Sequence, residues 1–143
     1  MNTVILHLLT AFLGALGFSV LFGLRRQLLF PAALGGMLAW GIYLLMQFWL
    51  NSMFLSCLTA SAFAVIYAEL LARLLKTPAT LYVIPTIIAL VPGSSLYYAM
   101  SHAVRGEMEQ ARAFGSETLE CAFAIAAGIS IVVACRELRE KSR

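Results

Sequence analysis

Residues 77–98 read Thr-Pro-Ala-Thr-Leu-Tyr-Val-Ile-Pro-Thr-Ile-Ile-Ala-Leu-Val-Pro-Gly-Ser-Ser-Leu-Tyr-Tyr, an uncharged apolar run punctuated by Pro85 and then by Pro92-Gly93. Proline removes a backbone donor and its ring clashes with the preceding turn, so in water this pattern would end a helix. In a bilayer the freed carbonyl must find another partner, and a broken span survives only against protein or a wet cavity. Two readings stand side by side. Proline is commoner in membrane helices than in soluble ones, which makes an ordinary kink one of them. The other is a break that offers backbone groups to a substrate, as discontinuous helices do in transporters. On that reading the substrate-path candidates are Thr86, Pro92, Gly93, Ser94, Ser95, Tyr97 and Tyr98. A helix restarting at Gly93 would aim its first amides into the break and favour an anion there, such as a carboxylate.

The rest of the chain places this run in a membrane. No charged residue lies between Gln27 and Glu69, and none between Lys76 and Arg105. A span takes about 20 apolar residues, so the first gap holds two helices and the second holds one long or broken one. With 62% hydrophobic and 12% charged residues in a chain of 143, the composition is that of a single membrane domain. The fold class is all-α, a polytopic protein of about five transmembrane helices over residues 3–24, 28–50, 53–75, 78–104 and 119–135. The fourth is broken by Pro85 and Pro92-Gly93. The first lacks a basic leader and a cleavage site and is read as retained.

Small residues mark where these helices meet. Lipid does not drive helices together hydrophobically, so close approach over small side chains must supply association. Ala60, Ala64 and Ala68 lie on an every-fourth stripe of the third span that begins at Ser52 and ends at Ala72. Ala122, Ala126 and Ser130 repeat the pattern in the last span, and both stripes are read as packing seams. Gly14, Gly17, Gly35, Gly36 and Gly41 allow close approach in the first two spans. Trp40, Tyr43 and Trp49 are read as part of an aromatic belt.

Titratable groups are sparse and each has two readings. Glu69 stands four residues before Arg73, which makes a helix-end ion pair one reading and a buried proton- or cation-binding carboxylate the other. His7, His102 and Glu120 are interfacial on one reading and part of a proton relay on the other. Cys57, Cys121 and Cys135 show no metal or redox spacing and read as packing residues. No phosphate loop, metalloprotease or nucleophile-elbow motif is present, so neither a metal nor a cofactor is expected and the chain is read as no enzyme. The net charge of +3 gives no nucleic-acid signal. Its basic residues cluster between spans, where they set topology. Arg25, Arg26, Arg73, Lys76, Arg136, Arg139, Lys141 and Arg143 fall on one side, which places the N-terminus outside and the C-terminus in the cytoplasm. Residues 105–112 read as a mixed-charge connector, a short interfacial helix or loop.

These residues resemble a family. An Arg-Arg turn follows span one, Ala-Glu-Leu-Leu-Ala-Arg closes span three, Thr-Pro-Ala-Thr and Ile-Pro follow, and then comes Leu-Val-Pro-Gly-Ser-Ser-Leu-Tyr. The chain is similar, over nearly its whole length, to the small membrane subunit of the bacterial threonine/serine exporter family, itself similar to the C-terminal half of single-chain members. The resemblance implies export of small polar metabolites across the bacterial cytoplasmic (inner) membrane, of threonine and serine or, in some split members, succinate. It implies a larger membrane subunit as partner, and it supplies no site residue. The rival reading is an assembly subunit that transports nothing and whose stripes bind a channel-forming partner.

Overall fold

Left-handed residues punctuate the apolar sequence. Gly23 (φ 68°) follows the first helix, Asn51 (φ 46°) caps the second, Lys76 (φ 51°) the third, and Gly106 (φ 80°) follows the fifth. A residue in this conformation turns the chain out of its helix and lets the last carbonyls find donors. Asn51 donates to Gln47 O at 3.1 Å in this way. The computed structural model describes residues 2–141, and these form α1 (Asn2–Leu21), α2 (Arg26–Leu50), α3 (Met53–Leu75), α4 (Thr80–Ile88), α5 (Gly93–Val104) and α6 (Met108–Lys141). The fold is all-α.

Four of these helices, α1, α2, α3 and α6, are long and apolar enough to cross a membrane. α4 and α5 pass the same test together as one span bent by 53°. At 1.5 Å per residue they rise roughly 13 and 18 Å, close to the ~30 Å hydrocarbon core. The break lies only at residues 89–92. Pro85 interrupts nothing and sits inside α4. It is buried, and its own carbonyl lies where α2 is slimmed by Gly36, so α2 packs closely against this part of α4. Pro92 does break the span. Its ψ of 58° is not helical, and proline also pushes the preceding Val91 out of the helical region.

The expected connector at residues 105–112 is not one. Only Arg105–Glu107 lies outside a helix, and α6 then runs unbroken for 34 residues. That is about 51 Å, well beyond the hydrocarbon core. Met, Glu, Gln, Ala and Arg at its start are strong helix formers, and a helix satisfies its own backbone in lipid and water alike. The charges there leave the helix intact.

α1, α2, α3 and α6 pack as successive neighbours, α4 lies against α1, α2 and α3, and α5 rests on α6 alone. Alanine fills much of the interior. Leu24, Leu28, Ala32, Ala68, Ala72 and Tyr82 form a buried cluster at the basic end, and Ala39, Cys57, Ala60, Ala64, Leu90, Cys121, Ala124 and Ile125 form another towards the opposite end. Ala60, Ala64 and Ala68 are fully buried on α3. On α6 the buried face is instead Cys121, Ala124, Ile125 and Gly128, while Ala122, Ala126 and Ser130 are exposed. The tightest α3–α6 contact explains the rotation. Gly128 lies directly against Ser61 and Leu58 O, a place alanine cannot occupy. A Cβ at Gly14 or Gly17 would meet nothing within 4 Å, and the close approach of α1 to α2 is at Gly36, where a Cβ would lie 2.5 Å from that of Ala15.

Gly35 is equally confined. A Cβ there would lie 2.6 Å from Tyr67 Cε1 and 2.7 Å from Thr86 Oγ1. Tyr67 has little room to swing away, because its hydroxyl donates to Pro31 O at 2.8 Å. Gly35→Ala is therefore expected to cost about 1–3 kcal/mol, the usual range for overpacking. Thermal unfolding in detergent would measure the loss, and an unchanged midpoint would contradict this packing.

Candidate functional site

After Ile88 the chain turns through two short bonds, Leu90 N to Ile87 O (2.8 Å) and Val91 N to Ile88 O (3.3 Å), and α5 then starts afresh at Gly93. A helix start leaves its first amides without intrahelical acceptors. Gly93 N turns back to Val91 O at 2.8 Å and Leu96 N reaches Pro92 O at 3.1 Å, so the amides of Ser94 and Ser95 between them head the new helix. Opposite them Cys121 Sγ of α6 donates to Leu90 O at 3.7 Å.

A cavity of about 110 Å³ opens at this break. Pro92, Ser94 and Ser95 line it together with Trp40 and Tyr43 of α2, Cys57 of α3 and Cys121 of α6. Trp40 stacks on Tyr43 with ring centroids 4.9 Å apart, and its indole Nε1 is buried without a partner. A buried donor with no acceptor is costly, which marks this position as a place where a polar partner would be stabilising. On the far side of Trp40 a second cleft, about 250 Å³, runs between α1 and the end of α4 past His7, Thr10, Gly14 and Phe18. Trp40 and Ala89 line both spaces and so form the wall between them.

The sequence candidates divide around this cavity. Pro92, Ser94 and Ser95 line it. Gly93 faces open space with nothing within 4 Å of where its Cβ would be. Tyr97 and Tyr98 are exposed on α5, and Tyr98 packs on Phe114 of α6 with centroids 5.4 Å apart. Thr86 is fully buried beside Gly35, its hydroxyl without a partner, and it does not line the cavity.

The charged candidates lie elsewhere. Glu69 pairs with Arg136 of α6 at 3.2 Å and not with Arg73, so the pair ties two helices together at the basic end. His102 is bonded to Glu107 and stacks on Phe114 at the other end of the molecule. Glu120 is exposed.

Sequence reading missed Trp40, Tyr43, Cys57, Ala89 and Cys121 as cavity residues. Trp40 had carried a faint signal, since it stands four residues after Gly36 and therefore on the face that α2 turns towards α1 and α4. The two cysteines gave none, because apolar context alone does not separate a thiol in a wall from one in a core.

The arrangement is a membrane-embedded bundle whose one discontinuous span opens a small, mostly apolar cavity with a few polar groups and no charge. It can bind and orient, and it presents no nucleophile–base pair. No curated protein and no solved structure matches the chain. A family model described as threonine/serine exporter, ThrE, matches residues 7–135. The chain belongs to that transporter family and is a multi-pass membrane protein.

Proposed function

We propose that this chain is the small half of a bacterial cytoplasmic-membrane exporter for threonine/serine-type amino acids or a dicarboxylate such as succinate. A larger membrane subunit completes it, and solute passes at the helix break. The observation that carries this reading is the cavity at Ala89–Pro92, lined by Ser94 and Ser95, whose amides head α5. These groups suit a carboxylate, and they select a small polar solute without placing a formal charge in a low-dielectric span. At about 30 Å³ per water the cavity holds three or four waters, so passage requires it to widen. α5 is the element suited to that movement. It has no buried residue and packs on α6 alone.

Orientation follows from charge. The Glu69–Arg136 pair and the cluster joining Leu24 and Leu28 to Ala72 and Tyr82 bring Arg25, Arg26, Arg73, Lys76 and Arg136 to one end. By the positive-inside bias that end faces the cytoplasm, which leaves the N-terminus outside. The outward stripe of Ala122, Ala126 and Ser130 is where the larger subunit would pack. The same stripe favours a second reading, in which the chain only assembles a channel formed by its partner.

Efflux of preloaded labelled threonine, serine and succinate from cells lacking endogenous exporters tests the proposal, with this chain alone and with the larger subunit. Efflux that requires both supports the split exporter and names its substrate. Absence of efflux in every combination overturns it. Ala126→Leu tests the assembly face that both readings use: it is expected to stop efflux by preventing assembly while the chain itself stays folded. A substitution that fills the cavity at Ala89 separates them, since a chain that only assembles its partner would keep exporting with it.

A further inference from the structure

The basic end carries a feature the transport reading does not use. A groove of about 380 Å³ runs between the C-terminal halves of α3 and α6, walled by Ile66 and Leu70 on one side and Ile131 and Val132 on the other. Arg73, Arg136 and Arg139 stand at its polar end, with Glu69 the one acidic side chain among its lining residues. Glu69 is neutralised by Arg136 at 3.2 Å. Among the described residues neither Arg73 nor Arg139 has an ion-pair partner, and Arg136 Nε is buried with no hydrogen bond. A second, smaller hollow of about 180 Å³ adjoins the same Glu69–Arg136 ridge and reaches Thr77 and Ala79 at the α3–α4 turn.

We propose that this groove binds one anionic phospholipid, with Arg73 and Arg139 taking the headgroup phosphate and Ile66, Leu70, Ile131 and Val132 taking the start of an acyl chain. Two arginines with no ion-pair partner among the described residues, above an apolar furrow, match a ligand that is anionic at one end and hydrocarbon at the other. Basic pockets between membrane helices on the cytoplasmic side hold such headgroups. Arginine suits the task, since its fork meets phosphate bidentately and its stem lies along apolar surface. A free dicarboxylate would use the same guanidinium groups but gain nothing from the furrow. Ile66, Leu70 and Ile131 are all about half exposed, so the groove opens sideways to lipid. The inference requires only that the chain is a membrane protein, so it stands or falls separately from export.

Native mass spectrometry of the chain in mild detergent, titrated with phosphatidylglycerol or phosphatidylethanolamine, tests it. One phosphatidylglycerol is expected to stay bound in preference to phosphatidylethanolamine. Arg73→Gln with Arg139→Gln should weaken retention about thirtyfold, at about fivefold for each charge. Arg105→Gln with Arg112→Gln removes the same charge from the opposite end and should leave retention unchanged. Should the first pair fail to fold, Arg73→Gln alone carries the test at about fivefold. Equal retention of both lipids, or equal loss from the two arginine pairs, overturns the proposal. Succinate binding that depends on Arg73 and Arg139 while no lipid is held also overturns it, in favour of a solute site.

Discussion

Ala89→Leu stops export and leaves the bundle folded. Ala89 belongs to the wall between the cavity at the helix break and the cleft beside α1, and it lines both spaces. It sits just past the end of α4, where a larger side chain has room to turn into either space without prising packed helices apart. The cavity is about 110 Å³, and a leucine there fills much of it. A loss of about tenfold or more in efflux asks for only about 1.4 kcal/mol of exclusion at the narrowest point. Unfolding temperature and co-purification with the larger subunit should stay as in the wild type. Wild-type efflux through a leucine at this position would remove the cavity from the pathway.

Gly128→Leu has the larger structural effect. Even the Cβ of alanine would overlap Ser61 Oγ and lie 2.7 Å from Leu58 O. Ser61 cannot yield freely because its hydroxyl donates to Leu58 O at 3.0 Å, and Leu58 O is backbone. α3 and α6 must separate along the seam that buries Ala60, Ala64, Cys121 and Ala124. Overpacking of this kind costs about 1–3 kcal/mol for one carbon, and leucine adds more. The chain is expected to lose its folded monomer in detergent, read by size-exclusion profile and thermal unfolding. Gly128→Ala with Ser61→Ala should recover part of the loss, since the carbonyl clash remains. Wild-type stability for Gly128→Leu would contradict the α3–α6 register.

Much of this architecture is legible in the sequence because the membrane imposes it. Charge-free gaps fix the spans, and Pro92-Gly93 marks the break. The stripe on α3 gives the packed face, where Ala60, Ala64 and Ala68 are buried. What failed is instructive. Ala122, Ala126 and Ser130 share the α3 pattern yet turn outward, because one glycine, Gly128, allows a closer approach than any alanine. Pro85 looked like a second break, but it lies inside α4, and the close packing of α2 on it at Gly36 is a tertiary fact that local sequence does not carry. Glu69 has Arg73 four residues on and pairs with Arg136 instead. Of the site, Pro92, Ser94 and Ser95 could be read from the break. Trp40 could be read only faintly, through its spacing from Gly36, and Ala89, Cys57 and Cys121 not at all, since which side chains wall a cavity depends on how four helices meet.

The cavity's own cysteines offer the most direct test that solute is handled at the break. Cys57 and Cys121 line it, whereas Cys135 is exposed on the opposite half of α6 and can be replaced by serine. In the Cys135→Ser exporter, co-expressed with its larger subunit, the labelling rate of Cys57 and Cys121 by a small water-soluble thiol reagent would be followed by mass spectrometry. Threonine, serine and succinate would each be added in turn. The account predicts that the exported solute slows labelling at both cysteines and that the other solutes do not. Labelling that proceeds at one rate in the presence of every solute, in a preparation that exports, would contradict it.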